Sequence, residues 1–304
     1  MKNILIFGGT GFIGRHLVNE LKDDYQLTIL SRDPEKYTGN LPKEARLEKI
    51  DYANPELLIH FFDEADAIIN LAGENVGARW TKKKIQAIRQ SRLKADQDIV
   101  FAFGSCSKKP ELIIQGSGMG VYGFTQTDDG YTEDSPLGTQ GFLTDIGIAH
   151  EKAFHNLEDK TRVIYLRTGL VLDGKEGALP QMAMSFSLFA GGPMGSGNQW
   201  NSWVHINDEV RAIRFLMENE KCRGPYNLTA PHPVKNRDFA KKLGKALHRP
   251  AFITTPAFVL KLVMGTMANE LLLKGLKILP KRLQEEGFRF QFEQLEEALM
   301  DIYK

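Results

Sequence analysis

The chain has 304 residues, 42% hydrophobic and 25% charged, with a formal net charge of +1. So balanced a chain has no overall field to draw it to nucleic acid or to an anionic membrane, and neither is expected as a partner. Its two cysteines, Cys106 and Cys222, have no metal spacing and read as reduced thiols of a cytoplasmic protein, with no metal site.

The opening MKNILIFGG is too short in its apolar part for a signal peptide and runs straight into glycines that a folded domain needs. Strands and helices then alternate. ILIF at 4–7 is a wholly apolar run, as a central parallel strand should be. The helix after GGTG repeats Ile13, Leu17 and Leu21 on one face. QLTILS at 26–31, LEKID ending at Asp51, DAIINLAG at 66–73, ELIIQGSG at 111–118 and RVIYLRTGLVL at 162–172 read as further strands, with a long helix at 82–103 between two of them. This rhythm predicts an α/β chain with a doubly wound parallel sheet.

After about residue 173 the rhythm loosens. GGPMGSGNQWNSWVHINDE at 191–209 is too long and glycine-rich for a simple connector, and Asn207 or Asp208 is placed to cap the helix that follows it. Beyond GPYNLTAPHP the composition turns to paired helices. RPAFITTP is expected as a short strand, PKRLQEEG as a helix stopping at Gly287, and FRFQF as a last strand before a final helix. The region PAFVLKLVMGTMANELLLKGLKILP is interrupted by Lys261, Asn269, Glu270 and Lys274, so it reads as amphipathic helices rather than a membrane span. Residues 231–304 hold 13 Lys/Arg against 8 Asp/Glu, a mild excess expected on a solvated surface.

Gly8, Gly11 and Gly14 follow a strand and open a helix. In that context the three glycines serve a tight turn, room for a pyrophosphate, and close packing of helix on strand. Thr10, Phe12 and Ile13 complete the loop, and the free N–H groups of the helix start suit phosphate oxygens. A site for NAD places an acid at the end of the second strand; here Ser31 and Arg32 stand there, and Asp33-Pro34 reads as a turn. Arg32 is suited to a 2′-phosphate, so the expected cofactor is NADP(H). Asp51 is a candidate partner of the adenine amino group, or an ordinary strand-end aspartate. Leu71, Ala72 and Gly73 would pass beneath the cofactor ribose.

GGTGFIG, INLAG and GSGMGVYG resemble the extended short-chain dehydrogenase/reductases, the fold of the sugar-nucleotide epimerases. RWTKKKIQAIRQSR, RTGLVL, the 191–209 stretch, YNLTAPHPVKNRDFAKKLGKALHRPAF and LPKRLQEEGFRFQF more closely resemble one atypical branch, the "epimerase family" proteins with a distinctive C-terminal domain. Some of these carry a cell-division-inhibitor label that nothing in these residues supports. The resemblance spans essentially the whole chain. It implies an NADP(H)-binding Rossmann domain over 1–230, with parts of 173–205 contributing to a substrate cleft, and a small C-terminal substrate domain over 231–304.

Two departures stand out. With Glu151 aligned to the glutamate that follows the superfamily's Tyr-x-x-x-Lys helix, the tyrosine slot falls at Leu143 and the lysine slot at Gly147, so the usual acid/base pair is missing. Where the epimerases carry an arginine just after the glutamine, Trp200, Asn201 and Ser202 follow Gln199, which removes support for a UDP- or dTDP-sugar substrate. Ser117 matches the superfamily's active-site serine, although a strand-end serine satisfying backbone would look the same. Asp145 is the candidate replacement acid, or a helix-start charge favoured by the dipole. Tyr122 faces either the cleft or the core. Arg79, Trp80, Trp200 and His205 are candidates for the substrate cleft, with core, lid or structural roles as the alternatives. Arg92 is a candidate for an anionic substrate or the cofactor. His150 and His155 are expected at the surface. Two readings remain open: an NADP(H)-dependent oxidoreductase or epimerase-like enzyme on an unidentified small molecule, and a non-catalytic NADP(H) sensor. The oligomeric state is left open.

Overall fold

A computed structural model describes every residue except 1, 38, 40, 51–53 and 126–127. The elements run β1 (Asn3–Phe7), α1 (Phe12–Leu21), β2 (Gln26–Ser31), β3 (Arg46–Lys49), α2 (Pro55–Glu64), β4 (Ala67–Asn70), α3 (Lys82–Ser105), β5 (Leu112–Gly118), α4 (Phe142–Lys152), β6 (Arg162–Thr168) and β7 (Leu170–Leu172). They continue as α5 (Leu179–Ser187), β8 (Trp200–Asn201), β9 (Trp203–His205), α6 (Ile206–Glu218), β10 (Gly224–Leu228), β11 (Val234–Lys235), α7 (Asn236–Ala246), α8 (Ala257–Met264), α9 (Lys281–Glu285) and α10 (Leu295–Ile302). Seven strands make one parallel sheet in the order β10-β6-β5-β4-β1-β2-β3.

The central strands are buried on both faces, which is why Ile4–Phe7 and Ala67–Ile69 are apolar without alternation. One face packs on α1 and α6, through Leu17, Leu21, Ile213 and Leu216; the other packs on α2 and α3, through Phe61, Phe62, Ile99 and Phe103. The chain order reverses between β1 and β4. The carboxyl ends of these two strands therefore open a crevice, the usual ligand position in such sheets. A third core joins Leu179 of α5, Trp203 of β9, Phe239 and Leu243 of α7, and Leu295 and Leu299 of α10. The residues beyond 230 thus share their interior with α5 and β9. Among the described residues, no helix is long and apolar enough to cross a membrane.

The later strands depart from expectation. RVIYLRTGLVL divides at Gly169 into β6 and β7, and β7 leaves the main sheet to pair with β9. GPYNL, unassigned from sequence, is β10 and closes the sheet beside β6. RPAFITTP forms no strand; Thr255 makes a single bridge to Met194. FRFQF is not a strand either. Its Phe288 and Phe292 side chains are buried, but the Gln291 and Phe292 N–H groups donate to the Asp208 carboxylate at 2.8 and 2.8 Å, so no neighbouring strand receives them. With Asp208 so engaged, the α6 cap is His205, whose Nδ1 accepts from the Asn207 N–H at 3.1 Å.

Candidate functional site

The glycine loop lies where the sheet topology opens. Gly8 has φ +76, and a Cβ there would stand 2.6 Å from the Leu71 carbonyl and 2.7 Å from the Ala72 nitrogen. The loop therefore presses directly on the turn that leaves β4. At Gly14 a Cβ would meet the Gly8 oxygen at 2.2 Å, so the start of α1 packs on the loop without a side chain between them. The Gly11 N–H closes the turn onto Gly8 O at 2.9 Å, and the Phe12 ring packs against Gly177. Arg15, one turn into α1, holds the Thr10 carbonyl and pairs with Glu176. A side-chain-free cradle ending in an α-helix N-terminus fits a dinucleotide pyrophosphate. Gly8, Gly11 and Gly14 would hold it, with Leu71, Ala72 and Gly73 forming the adjacent floor.

At the end of β2 the Ser31 hydroxyl is buried and accepts the Asp33 N–H at 3.2 Å. Asp33 pairs with Lys36 at 2.7 Å, and Arg32 projects into solvent. Asp51 lies outside the described residues.

Ser117, at the end of β5, donates from Oγ to Glu151 Oε1 of α4 at 2.8 Å. Arg167 of β6 grips the same carboxylate with two bonds, Nε to Oε1 at 3.0 Å and Nη2 to Oε2 at 2.8 Å. Its Nη1 donates to the Tyr122 hydroxyl at 2.9 Å, and Tyr122 donates onward to Asn227 Oδ1 at 2.7 Å. The Asn227 N–H ends the chain on Glu133 Oε1 at 2.9 Å. Burial pushes Glu133 above the usual carboxylate range, against the backbone donors of Asn227 and Arg282. Burial likewise pushes the Tyr122 hydroxyl up to about 12, despite Arg167 beside it. Tyr122 is thus engaged with the core on both sides of its oxygen, and Ser117 is the member of this network that faces the end of the sheet. Glu151 and Arg167 were not singled out from sequence as chemical groups. The available signal was Arg167 itself, a cation inside an apolar central strand, since a buried charge of that kind requires a buried acid.

Packing closes the slot in which the superfamily's lysine would stand. Leu143 faces the turn at 119–122, with its Cβ 3.1 Å from where a Gly120 Cβ would stand. At Gly147, a Cβ would meet Val121 Cγ1 at 2.6 Å. The turn after β5 packs onto α4 and fills the lysine slot. Restoring that lysine is therefore expected to fail. Gly147→Lys should cost roughly 1–3 kcal/mol by overpacking, read as a lower Tm, and Val121→Ala in the same chain should recover most of the loss. An unchanged Tm for Gly147→Lys would mean that the slot is open.

Asp145 does not join the Ser117 network. It is exposed and lines a cavity of ≈250 Å³ between α3 and α4, together with Arg89, Arg92, Asp96 and His150. Two residues past Leu143, it stands about 200° round the helix, and α4 is regular from Phe142 onward, so no irregularity swings it back. His150, expected at the surface, is buried: its Nδ1 lies 2.6 Å from Asp96 Oδ2 and its Nε2 lies 2.6 Å from Gln115 Nε2. Gln115 in turn accepts from Asn70 Nδ2 at 2.9 Å, and Asn70 Oδ1 accepts the Ala72 N–H at 3.1 Å. This second buried network supports the cofactor-side turn from below. His155 is exposed.

The remaining cleft candidates are dispersed. Trp80 is buried, donates to Val76 O at 2.9 Å, and packs edge-on against Phe142 with ring centres 4.9 Å apart. Arg79 is exposed on the preceding loop. Trp200 donates to Asp128 Oδ1 at 3.0 Å and has the ammonium groups of Lys235 and Lys277 5.0 and 5.1 Å from its ring centre. His205 is buried against Phe292, near Asp301 at 3.6 Å, and desolvation lowers its pKa; it is a structural residue joining α6 to α10. Glu270 accepts the Phe142 and Leu143 N–H groups at 3.0 and 3.0 Å, which ties the segment after α8 to the start of α4. Among the described residues, no group of His, Cys, Asp and Glu could hold a metal ion.

The glycine cradle, the reversal between β1 and β4, and the serine at the end of β5 define a dinucleotide-binding short-chain dehydrogenase/reductase fold of the extended kind. The chain belongs to the NAD dependent epimerase/dehydratase family, which matches residues 4–229, and residues 255–302 match a domain of unknown function, DUF1731. It is 38% identical over 311 residues to the epimerase family protein SERP0438 of Staphylococcus epidermidis, covering 100% of both chains. It is 36% identical over 302 residues to the epimerase family protein YfhF of Bacillus subtilis, covering 99% of this chain and 97% of the other. The crystal structure of human epimerase family protein SDR39U1 with NADPH matches with a TM-score of 0.87 and 31% identity, over 99% of each chain.

Proposed function

We propose that the protein is an NADP(H)-dependent oxidoreductase whose proton is handled by Ser117 backed by Glu151, acting on a small alcohol or carbonyl compound. The observation that carries this reading is the Ser117–Glu151–Arg167 arrangement at the end of β5, beside the glycine cradle. When bound, the nicotinamide supplies or accepts the hydride; the chain's own residues manage the proton. The Ser117 proton is directed at Glu151, so its oxygen lone pairs are free to accept. A substrate hydroxyl donating to Ser117 Oγ completes a path along which its proton passes to the serine as the serine's own proton passes to Glu151. In the reverse direction a protonated Glu151 returns it. Arg167 keeps the carboxylate oriented in both directions.

Arg32 and the pairing of Asp33 with Lys36 support NADP(H) over NAD(H), as does the NADPH in the SDR39U1 structure. A charge-assisted contact to the 2′-phosphate is worth roughly 1.5–3 kcal/mol, or about one to two powers of ten in affinity. NADPH is therefore expected to bind at least about tenfold more tightly than NADH in titration calorimetry, with Arg32→Ala removing the preference. Equal affinities for the intact protein would refute it.

A screen of aldehydes, ketones and alcohols with NADP(H), followed by nicotinamide absorbance, tests the activity. UDP- and dTDP-hexoses in the same screen are expected to be inert, because no arginine follows Gln199 and Leu143 and Gly147 fill the usual acid/base slots. Tight NADPH binding with no turnover across the whole panel would favour a nucleotide-sensing role instead. A cytoplasmic setting, with neither nucleic acid nor membrane as a partner, fits the same reading.

A further inference from the structure

Val121 fills the space that a side chain at position 147 would need, so α4 offers no cation from that position. A cation reaches the floor of the cradle from α3 instead. Arg92 rises from α3 until its Cζ and Nη2 stand 3.0 Å from where a Gly73 Cβ would be, so a side chain at 73 would have to push the guanidinium aside. Gly73 directly follows Leu71 and Ala72, the two residues that Gly8 presses upon. Arg92 therefore stands on the turn that leaves β4, on the side of the floor away from β2 and Arg32.

The guanidinium is held but not saturated. Nη1 donates to Glu74 O and Ile88 O at 3.2 and 3.2 Å, which fixes the plane of the group. Among the described residues, Nε and Nη2 have no acceptor. Asp96, one turn further along α3, balances the charge electrostatically while making its own close contact with His150. Burial lowers the Arg92 pKa, against the attraction of Asp96 and Glu74, so this is a partly desolvated cation, whose hydrogen bonds are stronger than those of a surface arginine. Two parallel donors on a fixed plane match two adjacent oxygens, as on a ribose 2′,3′-diol.

We propose that Arg92 holds the nicotinamide-side ribose of bound NADP(H) through Nε and Nη2. This rests on the cofactor assignment made above, and the test separates the two. Intact protein, Arg92→Met and Arg92→Lys are titrated calorimetrically with NADPH and with adenosine 2′,5′-bisphosphate, which keeps the adenosine and 2′-phosphate but lacks the nicotinamide half. Loss of charge-assisted hydrogen bonds of this kind typically corresponds to about 10–100-fold in affinity. Arg92→Met should weaken NADPH by about that factor and leave the bisphosphate unchanged, with Arg92→Lys in between. Unchanged bisphosphate binding is also the control that the variant is folded. If Arg92→Met binds NADPH within twofold of the intact protein, or weakens both ligands alike, the assignment of Arg92 is overturned while the cofactor site stands. If the intact protein binds neither ligand, the cofactor assignment falls and this one with it.

Discussion

Replacing Ser117 by alanine is expected to lower kcat by about 10²–10⁴-fold, the usual contribution of a positioned acid or base, and to leave NADPH affinity intact. The geometry gives the reason. The serine oxygen is the point at which the buried Glu151–Arg167 pair reaches the end of the sheet, through one hydrogen bond of 2.8 Å. Removing Oγ cuts the proton path without disturbing the two bonds between Arg167 and Glu151. Glu151→Gln should give a loss of similar order, because an amide cannot take up the serine's proton. It should also leave Arg167 without its counter-charge, typically costing about 3–5 kcal/mol of stability. The pair of variants is therefore informative: Ser117→Ala tests the chemistry in a well-folded chain, and Glu151→Gln adds a thermal shift that Ser117→Ala should lack. Steady-state rates on any substrate found by the screen, with calorimetric NADPH binding alongside, decide the matter. A Ser117→Ala enzyme with full kcat would remove Ser117 from the mechanism.

A second large effect is expected at Glu209, near the start of α6. Its neighbour Asp208 is fully buried but well supplied, by Arg211 at 2.7 Å and by the two N–H groups of the 288–292 segment. Glu209 is equally buried and receives only the Thr168 hydroxyl at 2.8 Å; its Oε2 has no partner among the described residues. Burial pushes its pKa up to about 8, with the Thr168 bond pulling the other way. The folded chain therefore carries a proton on Glu209 at pH values where the unfolded chain, ordinary for a carboxylate at 4.5, has lost it. The linked stability is fully present below pH 4.5 and is lost as pH rises through that window towards 8. At about 1.4 kcal/mol per pH unit, the total is a few kcal/mol. For a chain of this size that is roughly 5–10 °C in Tm. Glu209→Gln keeps the shape and the acceptor for Thr168 and cannot ionise, so it should melt several degrees above the intact protein at pH 8 and converge with it near pH 5. Melting curves that run parallel from pH 5 to 8 would show that Glu209 does not carry this proton.

Much of the nucleotide half was legible in the residues themselves. A parallel strand buried on both faces must be apolar throughout, and a loop under a pyrophosphate must lack side chains; both requirements are local and leave a mark on consecutive residues. The wholly apolar run at 4–7, the apolar-rich segments at 26–31 and 66–73 and the spacing of Gly8, Gly11 and Gly14 thus pointed to the sheet, its first crossover and the position of the cradle. The loss of the usual acid/base pair was equally visible, because Leu143 and Gly147 lack the chemistry whatever surrounds them.

What the tertiary structure decided is which side chains meet. Ser117 and Glu151 are 34 residues apart, and Tyr122 and Asn227 are 105 apart; no spacing rule links them. Helical periodicity places Asp145 and Glu151 on different faces of α4, but only the packing of α3 and β5 shows which face meets Ser117 and which lines the cavity. FRFQF carries the alternation of a strand, yet a strand also needs a neighbour for its N–H groups, and here the Asp208 carboxylate takes two of them. His150 reads as a surface residue until Asp96 and Gln115 are found closing over it. Gly147 reads as a lost lysine until Val121 is seen to occupy the space. Periodicity along a chain reports whether a position faces inward. The identity of the partner that satisfies it depends on contacts between distant segments, and those exist only in the folded molecule.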